Sequence, residues 1–106
     1  MTDEILTRLR KALDEDPRSD RAIAIDADVG VNYIRGIYKE GKPPSVDNVM
    51  KLLGTLGEEA TMWVLTGFKL TARDIKFIGL LPDMNEDAKR SAISLFQNLL
   101  KDSEVQ

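Results

Sequence analysis

Asn32, Arg35 and Lys39 are spaced three and then four residues apart, which puts their side chains on one face of a helix. Their common chemistry is hydrogen-bond donation to an acceptor-rich surface. Arginine can pair twice with guanine O6 and N7, asparagine can pair twice with adenine N6 and N7, and the apolar Val31 just before them can meet a thymine methyl. The other groups able to do chemistry are carboxylates. Asp14, Glu15 and Asp16, and again Asp83, Glu86 and Asp87, are raw material for hydrolysis or metal binding. The chain has no histidine and no cysteine, however, and nothing nearby completes such a site. These runs read as helix-end charge and solvated surface, and no enzyme activity, metal or cofactor is expected.

The stretch that must position the polar face is DRAIAIDADVGVNYIRGIYKEGK, Asp20 to Lys42. Ile23, Ala24, Ala27, Val29, Ile34 and Ile37 are the small or apolar positions of two short helices, with Asp28 to Gly30 at the bend between them. That is a helix-turn-helix pattern: small residues at the contact, a turn-tolerant residue at the corner and polar side chains on the second helix.

The 106 residues suit one modest core, and a net charge of −3 opposes the basic footprint usual for nucleic-acid binding. The charge is unevenly spread. From Pro17 to Gly57, Arg18, Arg21, Arg35, Lys39, Lys42 and Lys51 outnumber Asp20, Asp26, Asp28, Glu40 and Asp47, so the acid excess lies in the flanks. MTDEILTRLRK is charged and amphipathic, and no run approaches the ~20 apolar residues of a membrane span, so a soluble, cytoplasmic chain is expected.

Around the motif the pattern is helical throughout, and no strand is expected. Thr2 can cap a first helix carrying Ile5, Leu6, Leu9, Ala12 and Leu13, which Asp14 to Pro17 ends. Ser19 or Asp20 caps the second helix, and the third starts near Gly30 or Val31. Pro43 and Pro44 break the chain, and Ser45 restarts a helix with Val46, Val49, Met50, Leu52, Leu53 and Leu56 as a broad apolar stripe before Gly57. A fifth helix runs from Glu58 to about Leu65 and carries Met62, Trp63 and Leu65. Beyond it, Thr71 and Asp74 have capping-box spacing, Ile75 to Leu81 are largely apolar, and Pro82 stops the run. Asp83 or Asn85 then caps a last helix with Ala88, Ala92, Leu95, Phe96 and Leu99 on one stripe, and Ser103 to Gln106 look frayed.

Three blocks, RAIAIDADVGVNYIRGI, GKPPSVDNVMKLLGTLG and MWVLTG, together resemble the lambda-repressor-like, Cro/repressor-type (XRE) family of helix-turn-helix DNA-binding domains. The likeness covers most of Met1 to Gly67, and the tail is similar to the two-helix extensions of prophage-type regulators. It implies an all-α fold: a five-helix DNA-binding domain over 1–67 and a helical extension over 68–106 that serves dimerisation. The family usually has glycine where Asp28 stands and serine where Gly30 stands. Aspartate tolerates a left-handed backbone and glycine caps nearly as well as threonine, so both departures keep the geometry.

In such a motif the second helix enters the major groove, and by position Val31, Asn32, Arg35 and Lys39 reach base edges. Each has a plainer role open to it: a phosphate or solvent for Arg35, local backbone for Asn32, packing for Val31. Ser19, Arg21, Tyr33, Lys42, Ser45 and Asn48 are placed to hold phosphates, although Ser45 is a helix cap first and Arg18 can pair with Asp14 or Asp16. Trp63, Phe77 and Phe96 suit a core or a dimer interface better than a base-stacking platform, because no basic residues interleave them. The tail has to bury its apolar faces. A homodimer through Ile75, Ile78, Leu81, Leu95, Phe96 and Leu99 is expected, with packing back onto the domain as the alternative. The function implied is a sequence-specific double-stranded DNA-binding repressor. The rival is an antitoxin or anti-repressor-like module on the same fold, gripping a protein partner through its tail.

Overall fold

Every regular element is helical in the computed structural model, which describes residues 2–105 and their side chains as far as Lys101. No strand occurs among the described residues, so the chain is all-α. It divides into two compact units, Met1–Ala72 and Arg73–Gln106. The segment from Phe68 to Ala72 goes with the first unit, where the Ala72 N–H donates to the Glu59 carboxylate at 2.9 Å.

The helices of the first unit begin and end on local chemistry. For α1 (Asp3–Glu15), Thr2 Oγ1 accepts the Ile5 N–H at 3.2 Å and two acids occupy the first turn, where the helix dipole favours negative charge. It stops where Asp16 turns to extended geometry ahead of Pro17. At α2 (Asp20–Asp26) the cap is Ser19, whose hydroxyl accepts the Ala22 N–H at 3.1 Å. Asp20 is drawn instead to Arg10, at 2.9 Å.

The start of α3 (Tyr33–Lys39) differs from the expectation, for Val31 and Asn32 lie in a turn and not in the helix. Gly30 and the β-branched Val31 are weak helix formers, and the Tyr33 N–H closes the turn onto the Gly30 carbonyl at 2.9 Å. After the two prolines, Ser45 caps α4 (Val46–Leu56) by accepting the Asn48 N–H at 3.2 Å. Its buried face is Val49, Leu52 and Leu53. Val46 and Met50, expected in the stripe, face solvent at 61% and 48% exposure, so the stripe is narrower than its apolar residues suggest.

Gly57 joins α4 directly to α5 (Glu58–Thr66) at φ 104°, a backbone conformation that side-chain-bearing residues rarely adopt. Val64 is the α5 side chain that reaches the core. The sequence pattern points instead to Met62, Trp63 and Leu65, of which Trp63 packs against the core from outside and Leu65 is exposed.

The core lies in this unit. Leu9, Leu13, Ile23, Ile34, Val49, Leu52, Leu53 and Val64 are fully buried, each contributing about 1.5–3 kcal/mol by burial. Both α1 and α4 pack on α5, while α2 packs against α3 and α4. The helix that carries the polar face is thereby fixed to a helix that is itself part of the core.

The second unit comprises α6 (Ala72–Ile78) from its second residue, Arg73, a 3-10 turn over Leu81–Asp83 containing Pro82, and α7 (Glu86–Val105). Asn85, and not Asp83, caps α7, accepting the Ala88 N–H at 2.8 Å. Phe77 and Phe96 meet edge to face at 5.6 Å. None of the described residues of this unit is buried. Ile75 and Leu81 are half-buried, and Ile78, Leu95, Phe96 and Leu99 are exposed. The expected fraying from Ser103 concerns a stretch whose backbone is helical to Val105; its side chains and Gln106 lie outside the described residues. No described helix is long and apolar enough to cross a membrane.

Candidate nucleic-acid interface

Asp28 is the corner on which the arrangement turns. Its φ of 58° lies in the left-handed region, where a short carboxylate side chain is among the few that sit with little strain. The Ala27 N–H returns to the Ile23 carbonyl at 2.9 Å and the Val29 N–H to the Ala24 carbonyl at 3.0 Å, closing the end of α2.

On α3, Ile34, Gly36 and Ile37 are buried while Arg35 and Lys39 are exposed, so the helix is divided cleanly into a packing side and a solvent side. Asn32 and Val31 lie just ahead of it and are exposed, Val31 by 41%. The Asn32 side chain makes no capping bond, so its amide is not spent on local backbone, and the exposure of Val31 argues against packing as its role. Val31, Asn32, Tyr33 and Lys42 line one hollow of about 380 Å³ at the start of α3.

The loop after α3 is strapped to it. The Lys42 N–H donates to the Gly36 carbonyl at 2.9 Å, and a Cβ on Gly36 would stand 3.3 Å from Lys42 Cδ, so Gly36 provides the space for the lysine stem. The one signal of Gly36 in the sequence is a glycine inside a short amphipathic helix. The Lys42 ammonium rests 3.2 Å from Glu40 and is 71% exposed, a solvent-screened pair worth at most about 1 kcal/mol and easily exchanged for a phosphate. Tyr33 Oη accepts the Ser45 N–H at 3.0 Å, tying α3 to the start of α4. Its own proton remains available, as do the hydroxyl protons of Ser19 and Ser45, whose oxygens cap their helices. Asn48 is half-buried in the first turn of α4, and Arg21 is exposed in the first turn of α2.

The basic residues divide into two sets. Arg8 donates to the Val64 carbonyl at 2.8 Å, and Arg10 holds Asp14 at 2.6 Å and Asp20 at 2.9 Å while lying 5.2 Å from the Tyr38 ring centre. Arg18 holds Asp16 at 2.9 Å, Asp26 at 3.0 Å and the Thr55 carbonyl at 3.0 Å. Of the two partners open to Arg18 from sequence, Asp16 is the one engaged, and Asp14 belongs to Arg10. Arg21, Arg35 and Lys39, by contrast, have no acidic partner among the described residues. Both carboxylates of α2, Asp20 and Asp26, are therefore matched by arginines from outside the motif, which lowers the negative charge beside the exposed cations. This matching was invisible in the local charge count.

The hydrogen bonds from Arg18 hold the Asp16 carboxyl down at about 2, against 3.8 for the free group. A depressed carboxyl stabilises the fold above its unfolded value and loses that contribution as pH falls through the folded one. Acid titration should accordingly show stability declining between about pH 4 and pH 2, and Asp16→Asn should flatten that limb in a series of urea melts. Tyr38 is shifted the other way. Burial pushes its phenol up to about 12, and its O–H donates to the Leu6 carbonyl at 2.8 Å.

Among the described residues, no three acids converge where a metal ion could be held. No family model, curated protein or solved structure matches this chain.

Proposed function

We propose that the chain is a sequence-specific double-stranded DNA-binding regulator of the lambda-repressor-like, Cro/repressor (XRE) kind, a prophage-type repressor working as a cytoplasmic homodimer. The observation that carries this reading is the unsatisfied polar face of α3. Arg35 and Lys39 stand exposed and unpaired beside Asn32, on a helix held by the buried Ile34 and Ile37, while Arg8, Arg10 and Arg18 are engaged within the protein. A rigid helix offering donors without intramolecular partners is suited to the acceptor pattern of a major groove about 12 Å wide. Arg21, Lys42, Tyr33, Ser19, Ser45 and Asn48 are the donors assigned to the phosphates in this reading, from the starts of α2, α3 and α4 and the loop after α3.

A face of this size reads few base pairs, so affinity calls for two copies. The exposed apolar residues of α6 and α7 supply the means, because a unit that buries none of its described side chains gains most by pairing. Light scattering at tens of micromolar should give twice the monomer mass, and the double variant Leu95→Glu, Leu99→Glu should give the monomer. That variant should also bind operator roughly 100-fold more weakly, since the second half-site is no longer delivered at high effective concentration. A monomeric wild type would remove dimerisation from the mechanism.

The same exposed tail favours one second reading, an antitoxin or anti-repressor-like module that holds a protein partner. Selection from a random duplex pool separates the two. A dimeric regulator should return two-fold symmetric sites with half-sites about 34 Å, or a multiple of one helical turn, apart, and a protein-binding module should return none.

A further inference from the structure

The guanidinium of Arg10 stands where α1, α2 and α3 meet. On its own helix it holds Asp14 at 2.6 Å, across to α2 it holds Asp20 at 2.9 Å, and the ring centre of Tyr38 on α3 lies 5.2 Å away. Tyr38 is itself tied to α1, because its O–H donates to the Leu6 carbonyl at 2.8 Å. The Arg10 side chain is 34% exposed, so it is a placed cation and not a free surface one. Its partner Asp20 immediately precedes Arg21, which has no acidic partner among the described residues. Neighbouring residues are about 3.8 Å apart along a chain, well inside the roughly 8 Å over which charges act through physiological salt. An unmatched Asp20 carboxylate would therefore repel a phosphate drawn to Arg21, and a matched one does so far less.

We propose that Arg10 is a positioning residue for DNA binding: it holds and neutralises Asp20, so that Arg21 meets a phosphate without an opposing charge beside it. The assignment rests on the DNA reading of the helix-turn-helix and adds to it a residue outside the motif that acts through Asp20. A purely structural tie between α1 and α2 makes the opposite prediction for removal of the Asp20 charge. Loss of a tie harms binding, whereas loss of an opposing charge does not.

Fluorescence anisotropy with a labelled random-sequence duplex over a salt series tests the assignment, with helical circular dichroism recorded for each variant. Arg10→Gln should bind several-fold more weakly than wild type, and the slope of log affinity against log salt should shrink by up to about 1, the share of one phosphate contact. Asp20→Asn should bind at least as tightly as wild type, and Arg10→Gln combined with Asp20→Asn should return to wild-type affinity. In an Arg21→Ala background, Arg10→Gln should lose most of its effect. Lys11→Gln, which removes an equal charge from the next position of α1, should bind like wild type. Weaker binding by Asp20→Asn, no rescue in the double variant, an undiminished effect without Arg21, or equal losses in Arg10→Gln and Lys11→Gln would each overturn the proposal. The first of these needs no change at Arg10, so it decides the matter even where Arg10→Gln fails to fold. All four leave the DNA reading standing, whereas a wild type that binds no duplex removes both.

Discussion

Replacing Arg35 by alanine should reduce affinity for the selected operator by about 1–3 kcal/mol, roughly 5- to 150-fold, and erase the preference at one base position in each half-site. The argument is geometric. Arg35 is exposed on the solvent side of α3, next to the buried Ile34, and no acid holds its guanidinium, so the side chain begins binding without an ion pair to break. A planar fork of donors aimed at guanine loses two hydrogen bonds on truncation and leaves the base acceptors unmatched. Lys42→Ala should behave differently, weakening all duplexes alike and shallowing the dependence of binding on salt, because a phosphate contact carries no sequence information. A binding array compares the two effects directly. Identical sequence preferences for Arg35→Ala and wild type would remove Arg35 from base reading.

One residue earlier, Ile34→Ala should cost about 2–5 kcal/mol of folding stability, a large share of the roughly 5–15 kcal/mol of an ordinary domain. Ile34 is 1% exposed and belongs to the cluster formed with Leu9, Ile23, Val49 and Leu52, so truncation leaves a cavity where α3 meets the core. In urea the transition midpoint should fall with little change in slope. Under conditions where the variant remains folded, sequence preference should stay as in wild type. Adjacent residues on one short helix should thus separate stability from recognition, as their burial dictates.

Much of this architecture was legible because it is set locally. Ser45 after two prolines, Gly57 between two apolar runs, and Thr2 before two acids each satisfy helix-end groups within a few residues, and each acts as its type predicts. The exposure of Arg35 and Lys39 follows from the period of a helix whose other side is Ile34 and Ile37, whereas Asn32 is exposed in the turn that precedes it. What the sequence hid depends on residues distant in the chain. Asp26 can pair with Arg18 only once α2 has folded back, Thr55 brings a third partner from the end of α4, and Arg8 finds the Val64 carbonyl across most of the unit. The burial of Val64 and not Leu65 depends on how α5 packs against α1 and α4, and periodicity over so short a helix does not determine it. In the tail, the same apolar stripe on α7 serves a second copy or a different partner equally well, so its pattern names no occupant.

The central claim is that the α3 face reads duplex DNA, and a gel shift with a selected duplex and with random-sequence duplexes, each at low and at physiological salt, tests it most directly. The selected site should bind at least 1,000-fold more tightly than random sequence, with both affinities falling as salt rises. Failure of both duplexes to bind below about 100 μM, the weak end of ordinary non-specific affinity, would contradict it.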